Sequence, residues 1–78
     1  MKQQQIDVYV SDNCTECDQL VQYLTQRNIS FQIKNTTVNK ENLWQLQQEN
    51  IYITPTVIID NDYRIIGFQE SKLKQLLR

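Results

Sequence analysis

Apolar and polar positions alternate at the start of the chain: Ile6, Val8 and Val10 are interleaved with Asp7 and Tyr9 and run into Ser11-Asp12-Asn13. A period of two closed by turn-forming residues predicts a short strand. From Cys14 the period lengthens, with Cys17, Leu20, Val21 and Leu24 recurring at three- and four-residue steps. That stripe predicts a helix to about Arg27, stopped at Asn28, with Asn13 or Ser11 capping its first turn. Phe31 and Ile33 alternate with Gln32 and Lys34 as a second strand, and Thr36-Thr37-Val38-Asn39 turns the chain. Asn39 is the expected N-cap of a second helix, which carries Leu43, Leu46 and Trp44 on its apolar side and ends by Asn50. No capping box accompanies it, because Asn42 is neither Glu nor Gln.

Thr56-Val57-Ile58-Ile59 is branched enough for a core strand, and Pro55 at its entrance blocks a helical reading. Asp60-Asn61-Asp62 is a polar turn, and Tyr63, Ile65 and Ile66 follow as a strand, so a hairpin is expected. Gly67-Phe68 breaks that strand, and Glu70 to Leu77 carries Leu73, Leu76 and Leu77 as a last amphipathic helix. The order β-α-β-α-β-β-α predicts an α/β fold with a four-stranded mixed sheet flanked by three helices. Crossover helices should make the first strands parallel, with the hairpin adding an antiparallel one.

Composition narrows the reading. The chain has 78 residues, of which 40% are hydrophobic, enough for one domain spanning 1–78 that buries roughly 60–65% of its unfolded surface. The formal charge is -1 and Lys34, Lys40, Lys72 and Lys74 do not cluster, so no stripe for tracking phosphates is formed and nucleic-acid binding is disfavoured. Glutamines such as Gln3–Gln5 and Gln45, Gln47 and Gln48 are interleaved with a regular apolar period and read as a solvated face. The polar start, Met1–Gln5, indicates neither a signal peptide nor a membrane span. Together with a close cysteine pair this favours a reducing, cytoplasmic setting. A monomer is expected, because no apolar patch stands beyond the core stripes.

Histidine is absent and the two cysteines are Cys14 and Cys17. Mechanisms needing an imidazole base are therefore excluded. A Cys14–Cys17 bridge would close a tiny loop and constrain little of the unfolded chain, so a purely stabilising role is poorly motivated. Thiol exchange, by contrast, needs one thiolate that attacks and a second thiol that releases the mixed disulfide. The Cys14-Thr15-Glu16-Cys17 spacing sets two thiols one helical turn apart, with the first facing unpaired backbone N–H groups. The helix field contributes about 0.3–1 kcal/mol, less than one pKa unit, and Glu16 and Asp12 oppose it by like charge. Cys14, nearer the exposed end, is the expected attacker, and Cys17, in line with Leu20, Val21 and Leu24, the buried resolving thiol. Alternatives are an incidental core pair, a non-catalytic binding module, or a metal bridging two chains through their cysteine pairs. One chain alone offers too few ligands for tetrahedral zinc. Asp60 and Asp62 read as a solvated hairpin and not a metal site.

Strand, turn, Cys14-x-x-Cys17 and helix, then Thr54-Pro55-Thr56-Val57 before a strand, then Gly67-Phe68 before a final helix, resemble the glutaredoxin family of the thioredoxin fold. The likeness runs from Ile6 to Leu77. It implies a dithiol–disulfide oxidoreductase that binds no cofactor and works through a redox-active Cys14–Cys17 disulfide. Pro55 would be a cis-proline lying against the cysteines, with the Thr54 backbone pairing to an extended substrate and Gly67 keeping the far side of the groove open. Tyr9, Tyr52 and Phe68 are candidate groove aromatics, with ordinary sheet packing the equal alternative for Tyr9 and Phe68, and Thr15 and Thr54 complete the candidate binding set. Two departures matter. Thr15-Glu16 replaces the family's usual proline and aromatic, with no basic residue before the motif, and Gly67-Phe68-Gln69-Glu70 replaces the double glycine and the polar residues that hold the carboxylate of glutathione. A related redoxin branch is recharged by thioredoxin reductase and NADPH and serves ribonucleotide reductase. Electrons for this chain are expected from thioredoxin reductase or from glutathione, and its partner is a disulfide-bearing protein, with ribonucleotide reductase a candidate.

Overall fold

Ile6–Val10 form β1, an inner strand of the sheet, in the computed structural model, which describes residues 4–77. The polar positions Met1–Gln3 and the final Arg78 lie outside the described residues. The chain continues through α1 (Thr15–Gln26), β2 (Gln32–Asn35), α2 (Lys40–Gln48), β3 (Thr56–Ile59), β4 (Tyr63–Ile66) and α3 (Glu70–Leu76). The element order and the four-stranded mixed sheet match the expectation. Spatially the strands run β2-β1-β3-β4.

One expected feature of the pairing is corrected. β1 and β2 are parallel, but β3 is antiparallel to β1 although a helix precedes it. The register gives the reason. Asn35 at the end of β2 lies beside Val10, and Thr56 at the start of β3 lies beside Tyr9, so β3 enters at the end of the sheet where β2 leaves. α2 and the following segment 49–55 together go out and come back, and this return brings Pro55 beside the turn that follows β1.

Helix ends follow local chemistry. Asn28 and Asn50, with φ of 58° and 60°, take the left-handed conformation just past α1 and α2, a position asparagine tolerates better than most residues. The Asn39 side chain caps α2, its Oδ1 accepting from the Glu41 N–H at 3.0 Å. In the hairpin, Asp60 and Asn61 have φ of 54° and 58°, and the Asp62 N–H closes the turn on the Ile59 carbonyl at 3.0 Å. Two left-handed central residues suit the twist of the flanking strands. Asp60 Oδ1 accepts from the Gln5 N–H at 2.8 Å, which gives that carboxylate a structural partner.

The sheet is covered on both faces. Ile6, Val8, Val10, Val57, Ile59 and Ile65 pack with Cys17, Leu20, Leu24 and Leu73 beneath α1 and α3. Tyr9, Ile58, Leu46 and Ile51 form a smaller cluster beneath α2. Asp7 and Tyr9, which alternate with the apolar positions of β1, are therefore both 5% exposed. Asp7 Oδ1 is buried without a hydrogen-bond partner, while Oδ2 stands 4.0 Å from Lys34 Nζ. At the sheet edge the opposite correction applies. Phe31 precedes β2 and packs on the core, whereas Ile33 is 50% exposed. Trp44 is also exposed and lies off the buried stripe of α2.

Candidate active site

Cys14 sits at the junction of turn and helix. Asn13 before it takes φ 57°, and Cys14 itself is extended, with φ −119° and ψ 101°. Cys14 is thus the N-cap of α1, in place of the expected Asn13 or Ser11. Its Sγ accepts the Cys17 N–H at 3.1 Å, answering one of the donors that a helix start leaves unpaired. Cys14 and Cys17 are joined as a disulfide with their Cα atoms 5.2 Å apart. Cys14 is half-buried and Cys17 is 2% exposed, within the larger core cluster. An incoming sulfur therefore reaches Cys14 first.

Three loops surround this pair and are tied to one another by short hydrogen bonds. Ser11 Oγ and Thr54 Oγ1 are 2.7 Å apart, linking the turn before Cys14 to the segment before β3. The Thr54–Pro55 peptide bond is cis. The Gly67 N–H donates to the Pro55 carbonyl at 2.7 Å, and the Phe68 N–H donates to Glu16 Oε2 at 2.7 Å, closing the path back to α1. Behind the turn, Asp12 accepts from Asn35 Nδ2 at 3.1 Å while its own N–H donates to Thr37 Oγ1 at 3.0 Å. The segment that carries the cysteines is held from both sides.

Most candidate residues meet here, and one does not. Thr54 is tied to Ser11 in the turn before Cys14, and Pro55 is tied to Gly67, whose position stands against Glu16 between the cysteines. The backbone N–H and C=O of Thr54 make no hydrogen bond among the described residues, so both are open to an extended chain. Thr15 is the exposed first residue of α1. Phe68 turns its ring toward Tyr23, edge to face at 5.6 Å, and packs on the core, so its contribution to the site is its backbone amide. Tyr52 is 69% exposed on the approach to Pro55. Tyr9 is corrected. It points to the opposite face of the sheet, packed with Leu46, Ile51 and Ile58, and no groove at the disulfide includes it.

Two contributors escape a reading of periodicity. Ser11 passes for a turn residue and Glu16 for a solvated helix position, and both act through partners far away in sequence, Thr54 and Phe68. Among the described residues no three His, Cys, Asp or Glu side chains converge as a metal site. No helix of the described residues is long and apolar enough to cross a membrane.

A family model described as "Thioredoxin domain" matches residues 4–78. The chain belongs to this thioredoxin domain family. Among solved structures it is similar to the thioredoxin-like protein BC3987, at 31% identity over 94% of this chain and 100% of that one, with a TM-score of 0.87. Two more distant structures share the fold. The glutaredoxin-like protein NrdH-redoxin from Escherichia coli is 22% identical over 95% of this chain and 96% of its own, with a TM-score of 0.83. A glutaredoxin from Archaeoglobus fulgidus is 21% identical over 95% of this chain and 86% of its own, with a TM-score of 0.78. No curated protein matches the chain in a sequence search. A thioredoxin fold with a closely spaced, disulfide-forming pair at a helix start is the equipment of a thiol–disulfide oxidoreductase, and that is the activity of this chain.

Proposed function

We propose that this protein is a monomeric dithiol electron carrier of the glutaredoxin-like redoxin kind, acting in the cytoplasm. Cys14 attacks and Cys17 resolves. In the reduced protein the Cys14 thiolate attacks one sulfur of a substrate disulfide, forming a mixed disulfide and releasing the first substrate thiolate. The Cys17 thiolate then attacks Cys14 Sγ, releasing the second thiolate and leaving the Cys14–Cys17 disulfide. Two electrons pass to the substrate, and its two sulfurs take up the protons. The observation that carries this assignment is the unequal burial of two sulfurs joined across one helical turn, Cys14 half-buried and Cys17 2% exposed.

The substrate is a protein disulfide, presented as an extended segment that pairs with the free Thr54 backbone, an edge contact that reads shape more than sequence. Ribonucleotide reductase is the first substrate to try. Recharging comes from thioredoxin reductase and NADPH. Supporting this, the chain lacks a second glycine after Gly67 and a basic residue just before Cys14, two features that favour a glutathione site in related proteins. The test follows NADPH oxidation with a protein disulfide substrate, supplied in parallel with thioredoxin reductase or with glutathione and its reductase. Turnover with thioredoxin reductase alone is expected. Turnover with glutathione alone overturns the donor assignment, and failure of both, with each reductase active on a control, overturns the carrier reading.

A further inference from the structure

We propose that Glu16 is a specificity-determining residue that turns the site away from anionic disulfides and toward neutral or cationic ones. The inference deepens the reading above and rests on Cys14 being the attacking sulfur.

Glu16 lies between the two cysteines, and its carboxylate, although solvent-exposed, is tethered at one oxygen. Oε2 accepts the Phe68 N–H at 2.7 Å, and the same oxygen stands 3.2 Å from the place a Cβ on Gly67 would occupy. The negative charge is thus held against the Gly67 face of the site, beside the path to Cys14. Two consequences follow from this placement. The Phe68 amide is already taken as a donor. A fixed charge at the rim also repels an approaching anion and attracts a cation.

Among the described residues no lysine or arginine pairs with it. Residues 11–18 contain Asp12, Glu16 and Asp18 and no lysine or arginine, and neither 51–56 nor 66–69 contains a charged residue. The hydrogen bond of Asp12 is to the neutral side-chain amide of Asn35, which leaves its charge in place. Of the three acids only Glu16 is anchored to the loop on the far side of the disulfide, so it is the one with a fixed position relative to the substrate.

The experiment uses reduced protein and three small disulfides: cystamine with two ammonium groups, bis(2-hydroxyethyl) disulfide with none, and 3,3′-dithiodipropionate with two carboxylates. Rates of Cys14–Cys17 disulfide formation are followed by quenching and mass spectrometry. Each is divided by the rate of the same disulfide with dithiothreitol, because leaving-thiol pKa alters intrinsic reactivity. For unit charges about 6 Å apart in water, each sign changes the rate about threefold, so Glu16→Gln should lower the cystamine-to-dithiodipropionate ratio about tenfold. Glutamine can still accept from the Phe68 N–H, so folding is checked by the thermal transition and the loss is one of charge. High ionic strength should shrink the wild-type ratio toward that of the variant. An equal ratio in wild type and Glu16→Gln, or a wild-type ratio indifferent to salt, overturns the proposal. Failure of the underlying reading looks different: no disulfide of any charge is reduced, or Cys14→Ser reduces them as fast as the wild type.

Discussion

Gly67→Ala tests the junction of the active-site helix and the loop before α3. Gly67 has φ +82°, a conformation that costs a residue with a Cβ about 1–2 kcal/mol. Against this, the alanine restricts the unfolded chain, which returns about 0.4–1 kcal/mol. The new Cβ also meets Glu16 Oε2 at 3.2 Å, and withdrawal of the carboxylate from the Phe68 N–H is the readiest relief. That hydrogen bond is charge-assisted but exposed, so about 1 kcal/mol is the fitting figure for its loss. The sum is a destabilisation of about 1.5–2 kcal/mol. With a urea m-value of about 1 kcal/mol/M for a domain this small, the unfolding midpoint should fall by about 1.5 M. The same substitution made on Glu16→Ala should cost only about 0.8 kcal/mol, because the clash and the hydrogen bond are then both gone. The double-mutant cycle should therefore show a coupling of about 1 kcal/mol. An equal cost in the two backgrounds refutes the link between Glu16 and this loop, and a stabilised Gly67→Ala protein refutes the backbone argument.

Cys17→Ser should accumulate a mixed disulfide between Cys14 and a substrate thiol, visible as a mass adduct, while Cys14→Ser should form none. An adduct on Cys17 in the latter variant would reverse the assigned roles. Leu20→Ala, at a position 0% exposed in the larger core cluster, should cost about 3–5 kcal/mol. Set against a total of roughly 4–12 kcal/mol for a chain this long, this should lower the thermal midpoint by at least ten degrees or so. A change of a few degrees would mean that the site collapses around the smaller side chain. Asn39→Ala removes the side-chain cap of α2 and should cost about 1 kcal/mol in urea unfolding, whereas Asn39→Asp should cost nearly nothing. Equal losses in both would show that the cap contributes little.

Strand and helix order was legible because each element announces its own period. Val8 and Val10, the stripe Cys17, Leu20 and Leu24, and the run Thr56–Ile59 take the burial their spacing predicts. Cys14 and Cys17 were legible as chemistry because their spacing matches one helical turn, and the cis peptide at Thr54–Pro55 agrees with the family resemblance. The burial of Tyr9 and Asp7 was not legible for a definite reason. Alternation shows which residues share a face, but it does not show that a second layer, α2, covers the other face. The antiparallel entry of β3 was hidden similarly, because the length of the return through 49–55 has no local signature. Glu16 and Ser11 were the hardest, since each is defined by one polar contact across more than half the chain.

The two layers beneath the helices differ in strength, and that difference divides the molecule into parts that open at different cost. The layer under α2 rests on Tyr9, Leu46, Ile51 and Ile58, with an unpaired Asp7 oxygen beside it. The layer under α1 and α3 is the larger and includes Cys17 itself. Local unfolding follows buried apolar area, so the amides of α2 should exchange with solvent by detachment of that helix while those of β1, β3 and α1 exchange only with global opening. The disulfide belongs to the slow-exchanging part. Its geometry is therefore expected to survive excursions of α2, which hydrogen exchange would show as faster exchange in α2 than in α1.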